Sequence, residues 1–185
     1  MARKGNMRVL ISGGPGSGCT STALAVGERL GVEVFDSDTY FHKPSDPPFQ
    51  EQYSPDERRG LLRHALAGRP SWILSGSVSS WGMTDLDPTH AVFLHIPTGE
   101  RLDRLIRRQR ARFGSRIDLG GDMEAEHASF MEWAAGYEKR TGRGRNLATD
   151  LAFLESSGAL FVRYAEIESL DNVVARLVEF ISMTR

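Results

Sequence analysis

Cysteine occurs once in the 185-residue chain, at Cys19, so no intrachain disulfide can form, and a reducing compartment is expected. Lysine is nearly as scarce. It stands only at Lys4, Lys43 and Lys139, which leaves arginine to carry almost all the positive charge. The formal net charge is −1, which argues against a dedicated nucleic-acid binder, a class that is usually basic overall. No apolar run approaches the roughly 20 residues of a membrane span. The N-terminus lacks the apolar core of a secretory signal. These absences make a cytoplasmic protein with neither a membrane nor a nucleic-acid partner the expectation. Hydrophobic residues at 40% and charged residues at 25% are ordinary for a globular chain, and the length suits one domain over 1–185. No internal repeat or low-complexity segment is present.

The most informative absence is a single lysine. Gly13-Gly14-Pro15-Gly16-Ser17-Gly18-Cys19-Thr20 fits the phosphate-binding pattern GxxxxGK(S/T) at every required position but one, where Cys19 replaces lysine. An apolar segment, Met7 to Ser12, precedes it and reads as a buried strand. A helix from Thr20 to Leu30 follows, with Leu24, Val26 and Leu30 available for packing. Strand, glycine-rich turn and helix together are the context in which such a loop binds a nucleoside triphosphate. Its amides converge on phosphate, helped by the helix N-terminus. The candidate nucleotide-binding residues are therefore Gly13, Gly14, Pro15, Gly16, Ser17, Gly18, Cys19, Thr20 and Ser21, with Thr20 offering its hydroxyl to Mg²⁺. The usual lysine stabilises charge between the β- and γ-phosphates, and a thiol cannot. Cys19 is then either a small neutral filler or a thiol whose pKa the helix N-terminus depresses. In the second case oxidation or alkylation would block the site.

Beyond the loop, strands and helices alternate. Strands are expected at Val32–Asp36, Ser71–Ser75, Ala91–Ile96 and Ala159–Tyr164. Helices are expected at Asp56–Ala67, with Leu61, Leu62, Ala65 and Leu66 on one face, and after a Thr98 cap, with Leu102, Leu105, Ile106 and Phe113 apolar. The last helix carries a stripe of Leu170, Val173, Val174, Leu177, Val178 and Ile181. Five short strands separated by helices imply an α/β fold, a mostly parallel sheet covered on both faces. Ligands bind such sheets at the carboxyl ends of the strands, which here carry the loop, Asp36-Ser37-Asp38 and Ser75-Gly76-Ser77. One of Asp36 and Asp38 can hold Mg²⁺ or its water, and the other can accept a proton from an attacking hydroxyl. Both can equally cap a turn or helix. Arginines crowd the segment 101–116. Phe113 to Asp122 reads as a flexible glycine-containing stretch where a closing lid, approximately 108–123, would sit. Arg108, Arg112 and Arg116 are the lid arginines that can replace the missing lysine, because arginine donates bidentately to phosphate and stays charged. Arg140, Arg143 and Arg145 form a second basic group. Trp72, Trp81 and Trp133 read as packing residues, although Trp81 can also stack on a flat substrate.

These residues resemble the P-loop kinases of the nucleoside and nucleotide kinase group, adenylate-kinase-like proteins often labelled AAA-family ATPase. The resemblance covers nearly the whole chain. Asp36 to Pro44 is similar to the acceptor-side loop of uridine-kinase-like and nicotinamide-riboside-kinase-like enzymes, in which an aspartate serves as base. Trp72 to Ser77 and Gly120 to Ala135 resemble bacterial proteins of the same kind. What the resemblance implies is a three-layer P-loop fold with strand order 2-3-1-4-5, ATP and Mg²⁺ as cofactors, a mobile lid, and phosphotransfer to a small hydroxyl, nucleoside or nucleotide acceptor. Two departures stand out: Cys19 in the loop, and Ser75 where an acidic residue would end the third strand. They leave a second reading in place, a nucleotide-binding switch with little turnover. A mechanical AAA+ ATPase is disfavoured because the chain is too short for that fold's helical subdomain.

Overall fold

A computed structural model describes residues 6–165 and 167–183. Its strands are β1 (Arg8–Gly13), β2 (Val34–Asp36), β3 (Trp72–Ser75), β4 (His90–Leu94) and β5 (Leu160–Tyr164). They pair in parallel in the order β2-β3-β1-β4-β5. The expected sheet and strand order are therefore present, with strand ends differing from the sequence expectation by one or two residues. The pleat sorts the apolar residues by parity, because alternate side chains face opposite sides of a sheet. Val9, Ile11, Ile73, Val92 and Leu94 face one layer, which α1 (Cys19–Leu30) and α7 (Leu170–Ser182) close with Ala23, Val26, Leu30, Val174, Leu177 and Ile181. Leu10, Trp72, Leu74, Ala91 and Phe93 face the other layer, with Phe35, Leu62, Trp81, Tyr137 and Leu154. That second face is covered by α3 (Pro55–Leu66) and α6 (Leu147–Glu155), and the short α2 (Ser37–Phe41) follows β2 directly. Burial on both sides explains why the central strands β1, β3 and β4 read as apolar runs with no polar face.

Several expectations change. Leu24, Leu61, Ile106 and Leu170 are exposed, because the buried stripe of each helix runs through its neighbours instead. Pro97, not Thr98, is the residue before α4 (Thr98–Phe113), and it offers no side-chain cap. The stretch Phe113 to Asp122 is ordered by local bonding. A 3₁₀ turn spans Gly114–Ile117, and Met123 N–H donates to the Arg116 carbonyl at 2.9 Å. Phe113, Ile117 and Met123 bury a small apolar cluster of their own. Arg110–Asp118 and Arg116–Asp122 ion pairs run along its surface. Two helices were not expected, α5 (Glu124–Ala135) and α6, the latter opened by an Asn146–Thr149 capping box. Among the described residues no helix is long and apolar enough to cross a membrane.

Candidate functional site

β1 ends at Gly13 and α1 begins at Cys19, so residues 13–18 form a tight loop over the sheet edge. Its interior is packed against α4. A Cβ on Gly16, whose φ is +86°, would lie 2.5 Å from the Arg101 carbonyl, so only glycine fits there. Arg101 itself is buried, with 1% of its surface exposed. Its guanidinium donates to the carbonyls of Pro15 (2.9 Å), Ile96 (3.2 Å) and Ala134 (3.4 Å) and to Thr98 Oγ1 (3.1 Å). The loop is thereby clamped from behind through Pro15. Ser17 Oγ is buried and has no hydrogen-bond partner.

The first turn of α1 carries the two residues that matter most. Cys19 is a buried free thiol. Burial pushes its pKa up to about 12, outweighing the nearby Arg145 charge, which pulls the other way. The depressed thiol pKa envisaged from the helix N-terminus is therefore overturned: desolvation dominates, and Cys19 sits neutral as a filler. Thr20 is exposed, and its Oγ1 donates to Asp36 Oδ2 at 2.8 Å. Asp36 closes β2 and caps α2, its Oδ1 accepting from the Asp38 N–H at 2.9 Å. Desolvation raises the Asp36 pKa, and the hydrogen bonds from Asp38 N–H and Thr20 oppose it. In the sheet Asp36 is in register with Ser75, which is in register with Ile11 of β1. A carboxylate thus stands one strand over from the serine at the end of β3. Ser75 Oγ is buried without a partner. Beyond it, Gly76 (φ +96°) lets the chain pass so close to α2 that a Cβ there would lie 2.0 Å from Ser37 Oγ.

One cavity of about 630 Å³ joins these parts. It is lined by Gly14 to Ser21, Asp36, Ser37, Asp38, Gly76 and Ser77 on one side, and by His42, Gln52, Arg58, Trp81, Phe130, Trp133 and Arg145 on the other. Asp38 is exposed in it. A second cavity of about 360 Å³ adjoins the loop at Gly16 to Gly18, between Arg104, Leu105 and Arg108 of α4 and Tyr164, Ile167, Glu168, Leu170 and Val173 around the last strand–helix turn. The three lid arginines do not gather at one point. Arg108 lines both cavities, with Arg112, Asp38 and Asp36 as its charged neighbours. Arg112 lies 4.9 Å over the Phe49 ring and lines a third cavity of about 310 Å³ beside Asp38 and His42. Arg116 is exposed and holds Asp122 at 2.7 Å, outside all three cavities. Trp81 is buried at 4% exposure, so it packs, and it presents a wall rather than a free stacking face.

Sequence reasoning passed over Arg58 and His42, and it noted Arg145 only as one of a second basic group. Arg58 stands 4.1 Å over Phe41, donates to the Tyr53 carbonyl at 2.8 Å, and keeps a buried Nε without a partner. His42 sits edge-on to Phe41 and Phe49, and burial lowers its pKa. Arg145 donates from Nη2 to the Gly13 carbonyl at 2.9 Å. A charge run conceals such residues, because nothing local separates an arginine that reaches the loop from one that faces solvent.

Among the described residues no cluster of three or more His, Cys, Asp or Glu can hold a metal by itself. A divalent ion at Thr20 and Asp36 would therefore need further oxygens from a phosphate chain, the usual arrangement for Mg²⁺. The half-buried, desolvated Asp36 carboxylate beside a hydroxyl fits that requirement.

Fold comparison gives the class of architecture: the chain shares the fold of several solved small-molecule kinases. A sugar kinase from Janibacter sp. HTCC2649 matches with a TM-score of 0.53 at 17% identity, over 97% of this chain and 96% of that one. Shikimate kinase from Acinetobacter baumannii, in complex with shikimate, matches at 0.58 and 12%, over 97% and 95%. A gluconokinase from Sinorhizobium meliloti 1021 matches at 0.54 and 16%, over 98% of each chain. In sequence, the chain is 29% identical over 184 residues to YqaC of Bacillus subtilis (strain 168), described as an uncharacterized protein, across 97% of this chain and 98% of that one. No protein-family model matches.

Proposed function

We propose that this protein transfers the γ-phosphoryl group of ATP to a hydroxyl group of a small molecule. The observation that carries the reading is the single cavity in which the phosphate loop, the Thr20–Asp36 pair and the exposed Asp38 carboxylate face a wall of polar and aromatic side chains. A module that only bound nucleotide would need the loop but not a free carboxylate opposite a second, acceptor-sized space. The sugar kinase, shikimate kinase and gluconokinase neighbours support the same class, since each is named for a small-molecule kinase.

In this reading the loop amides of residues 13–18 and the N-terminus of α1 receive the β-phosphate. The cavity between α4 and the β5–α7 turn takes the base side of ATP. Thr20 and Asp36 would hold Mg²⁺, which when bound offsets phosphate charge. Asp38 accepts the proton of the acceptor hydroxyl as its oxygen attacks the γ-phosphorus and the bond to the β-phosphate oxygen breaks. Arg108, poised between Asp36 and Asp38, neutralises charge on the transferred group. The segment 108–123 serves as the lid, and Arg112 and Arg116 approach only when it closes. His42, Arg58 and Trp81 line the acceptor side.

Measuring ADP release against a library of hydroxylated small molecules, with and without Mg²⁺, tests the proposal. Acceptor-stimulated release that Asp38→Asn abolishes is expected. Tight ATP binding with no acceptor-stimulated release from any member would favour a nucleotide switch instead.

A further inference from the structure

We propose that Arg145 supplies the fixed cation that the loop lacks at position 19, an inference that rests on the phosphotransfer reading above. Three observations converge on this residue. It touches the loop: Nη2 donates to the carbonyl of Gly13, the first loop glycine, at 2.9 Å, across 132 residues of sequence. It faces the phosphate side, lining the same cavity as Gly14 to Ser21 with its side chain 24% exposed. The Gly13 contact uses one of five guanidinium N–H groups, and Nε is buried toward Asp150, which leaves the other terminal N–H groups. Donors therefore remain for a ligand.

The side chain is also held in place, as a substitute for a motif lysine must be. Asn146 Nδ2 donates to the carbonyls of Gly142 (3.1 Å) and Gly144 (3.2 Å), and Asn146 caps α6, which fixes the backbone at residue 145. Behind the guanidinium lies Asp150, fully buried, 3.9 Å from Nε. Its carboxylate accepts from Ser77 Oγ (2.6 Å), Ser79 Oγ (2.5 Å) and Tyr137 OH (2.7 Å). The Trp133 ring, 5.9 Å from the Arg145 guanidinium, walls the other side. The arrangement is a buried anion, saturated by three hydroxyls, aiming one cation at the loop.

Two other arginines near the loop are committed elsewhere. Arg101 is buried and spends its donors on carbonyls. Arg104 pairs with Glu100 at 2.9 Å. Arg108, with Arg112, Asp38 and Asp36 as charged neighbours, is assigned above to the transferred group, which leaves the loop position itself to Arg145. Arg145 is, moreover, the charge that acts most strongly on the Cys19 side chain. A lysine at position 19 would meet Arg145 as a like charge, so the neutral thiol and the arginine are complementary choices: one cation, placed across the loop instead of on it.

The test is a cycle of four full-length proteins: wild type, Arg145→Ala, Cys19→Lys and the double variant. Binding of a non-hydrolysable ATP analogue with Mg²⁺, and of ADP, is measured by calorimetry, with thermal melting alongside. Losing a charge-assisted contact to phosphate should weaken analogue binding about tenfold or more in Arg145→Ala. Cys19→Lys should restore it in that background and give no gain in the wild type. Arg145→Gln keeps a donor for the Gly13 carbonyl and removes the charge, so it should lose affinity with little change in melting temperature. Wild-type affinity in both Arg145 variants overturns the proposal. So does failure of Cys19→Lys to rescue Arg145→Ala when melting has dropped, since the residue is then a loop brace only. A wild-type protein that binds neither nucleotide overturns the phosphotransfer reading itself and this proposal with it.

Discussion

Arg101 should be the residue whose loss costs both fold and loop together. Its guanidinium satisfies three carbonyls, on Pro15, Ile96 and Ala134, in a place where almost no solvent reaches. Orphaning the Pro15 and Ile96 acceptors, and weakening that of Ala134, which also accepts from Tyr137 N–H at 3.4 Å, costs roughly 2–3 kcal/mol at about 1 kcal/mol each. Truncation to alanine also removes buried stem methylenes, worth about 0.8 kcal/mol apiece. The rehydrated charge of the unfolded state no longer opposes folding, which offsets part of the sum. Arg101→Ala should therefore destabilise by about 3–5 kcal/mol. In a domain of this size each kcal/mol lowers Tm by about 2–4 °C, so the drop is roughly 6–20 °C. Arg101→Met keeps most of the stem and should fall between the wild type and alanine. Urea unfolding of the three proteins measures the order directly. Because the clamp acts through Pro15, nucleotide binding should weaken even at temperatures where the variants remain folded. A loss below about 1 kcal/mol for Arg101→Ala would refute the reasoning, since it would mean that the loop carbonyls find other donors at no cost.

Three further outcomes follow from the same site. Asp38→Asn should lower acceptor-dependent turnover by about 10²–10⁴-fold and leave ATP affinity close to wild type; comparable turnover would remove Asp38 as base. Asp36→Asn should raise the apo Tm at pH 7 while abolishing Mg²⁺-dependent stabilisation by ATP. The sign comes from burial: it raises the folded-state pKa above the unfolded value, so the ionised carboxylate costs stability above that folded pKa, and the cost lifts as pH falls through it. The advantage of Asp36→Asn should accordingly shrink in acid, and an equal difference at pH 7 and pH 4 would count against it. Finally, the Cys19 thiol should resist iodoacetamide at pH 8 in the native protein and react on unfolding, because burial pushes its pKa to about 12. Fast native labelling at neutral pH would contradict a buried, neutral thiol.

The parts legible in sequence were those in which local chemistry is decisive. The loop could be read because close backbone packing dictates glycine at Gly16 whatever surrounds it. The sheet could be read because its central strands β1, β3 and β4, buried on both faces, show as apolar runs. Helices α5 and α6 were not legible, since few of their positions are buried, Ala134 in α5 and Asp150 and Leu154 in α6, and one or two buried residues leave no period to detect. The same physics misled the reading of residues 113–122. Glycines there suggested flexibility, but Phe113, Ile117 and Met123 meet through a turn to make a core of their own. Arg145 was hidden for a different reason: its partner, Gly13, is 132 residues away, and only the fold brings them together.

The two departures from the motif then take on a common form. Ser75 lacks a carboxylate at the end of β3, and Asp36 provides one at the same level of the neighbouring strand. Cys19 lacks a charge at the start of α1, and Arg145 reaches the other end of the same loop. In each case the group is missing from its place in the sequence and present across a contact of a few ångströms. A phosphate chain responds to the positions of charges, not to the chain segment that bears them, because the Coulomb interaction depends on distance and dielectric alone. What such relocation changes is the evolutionary path. Cys19→Lys adds a further cation at the loop while Arg145 remains, and Arg145→Ala removes the one proposed to replace the lysine while Cys19 remains. On the phosphotransfer reading neither single step is favourable, which would hold the lysine-less loop in place once it had formed.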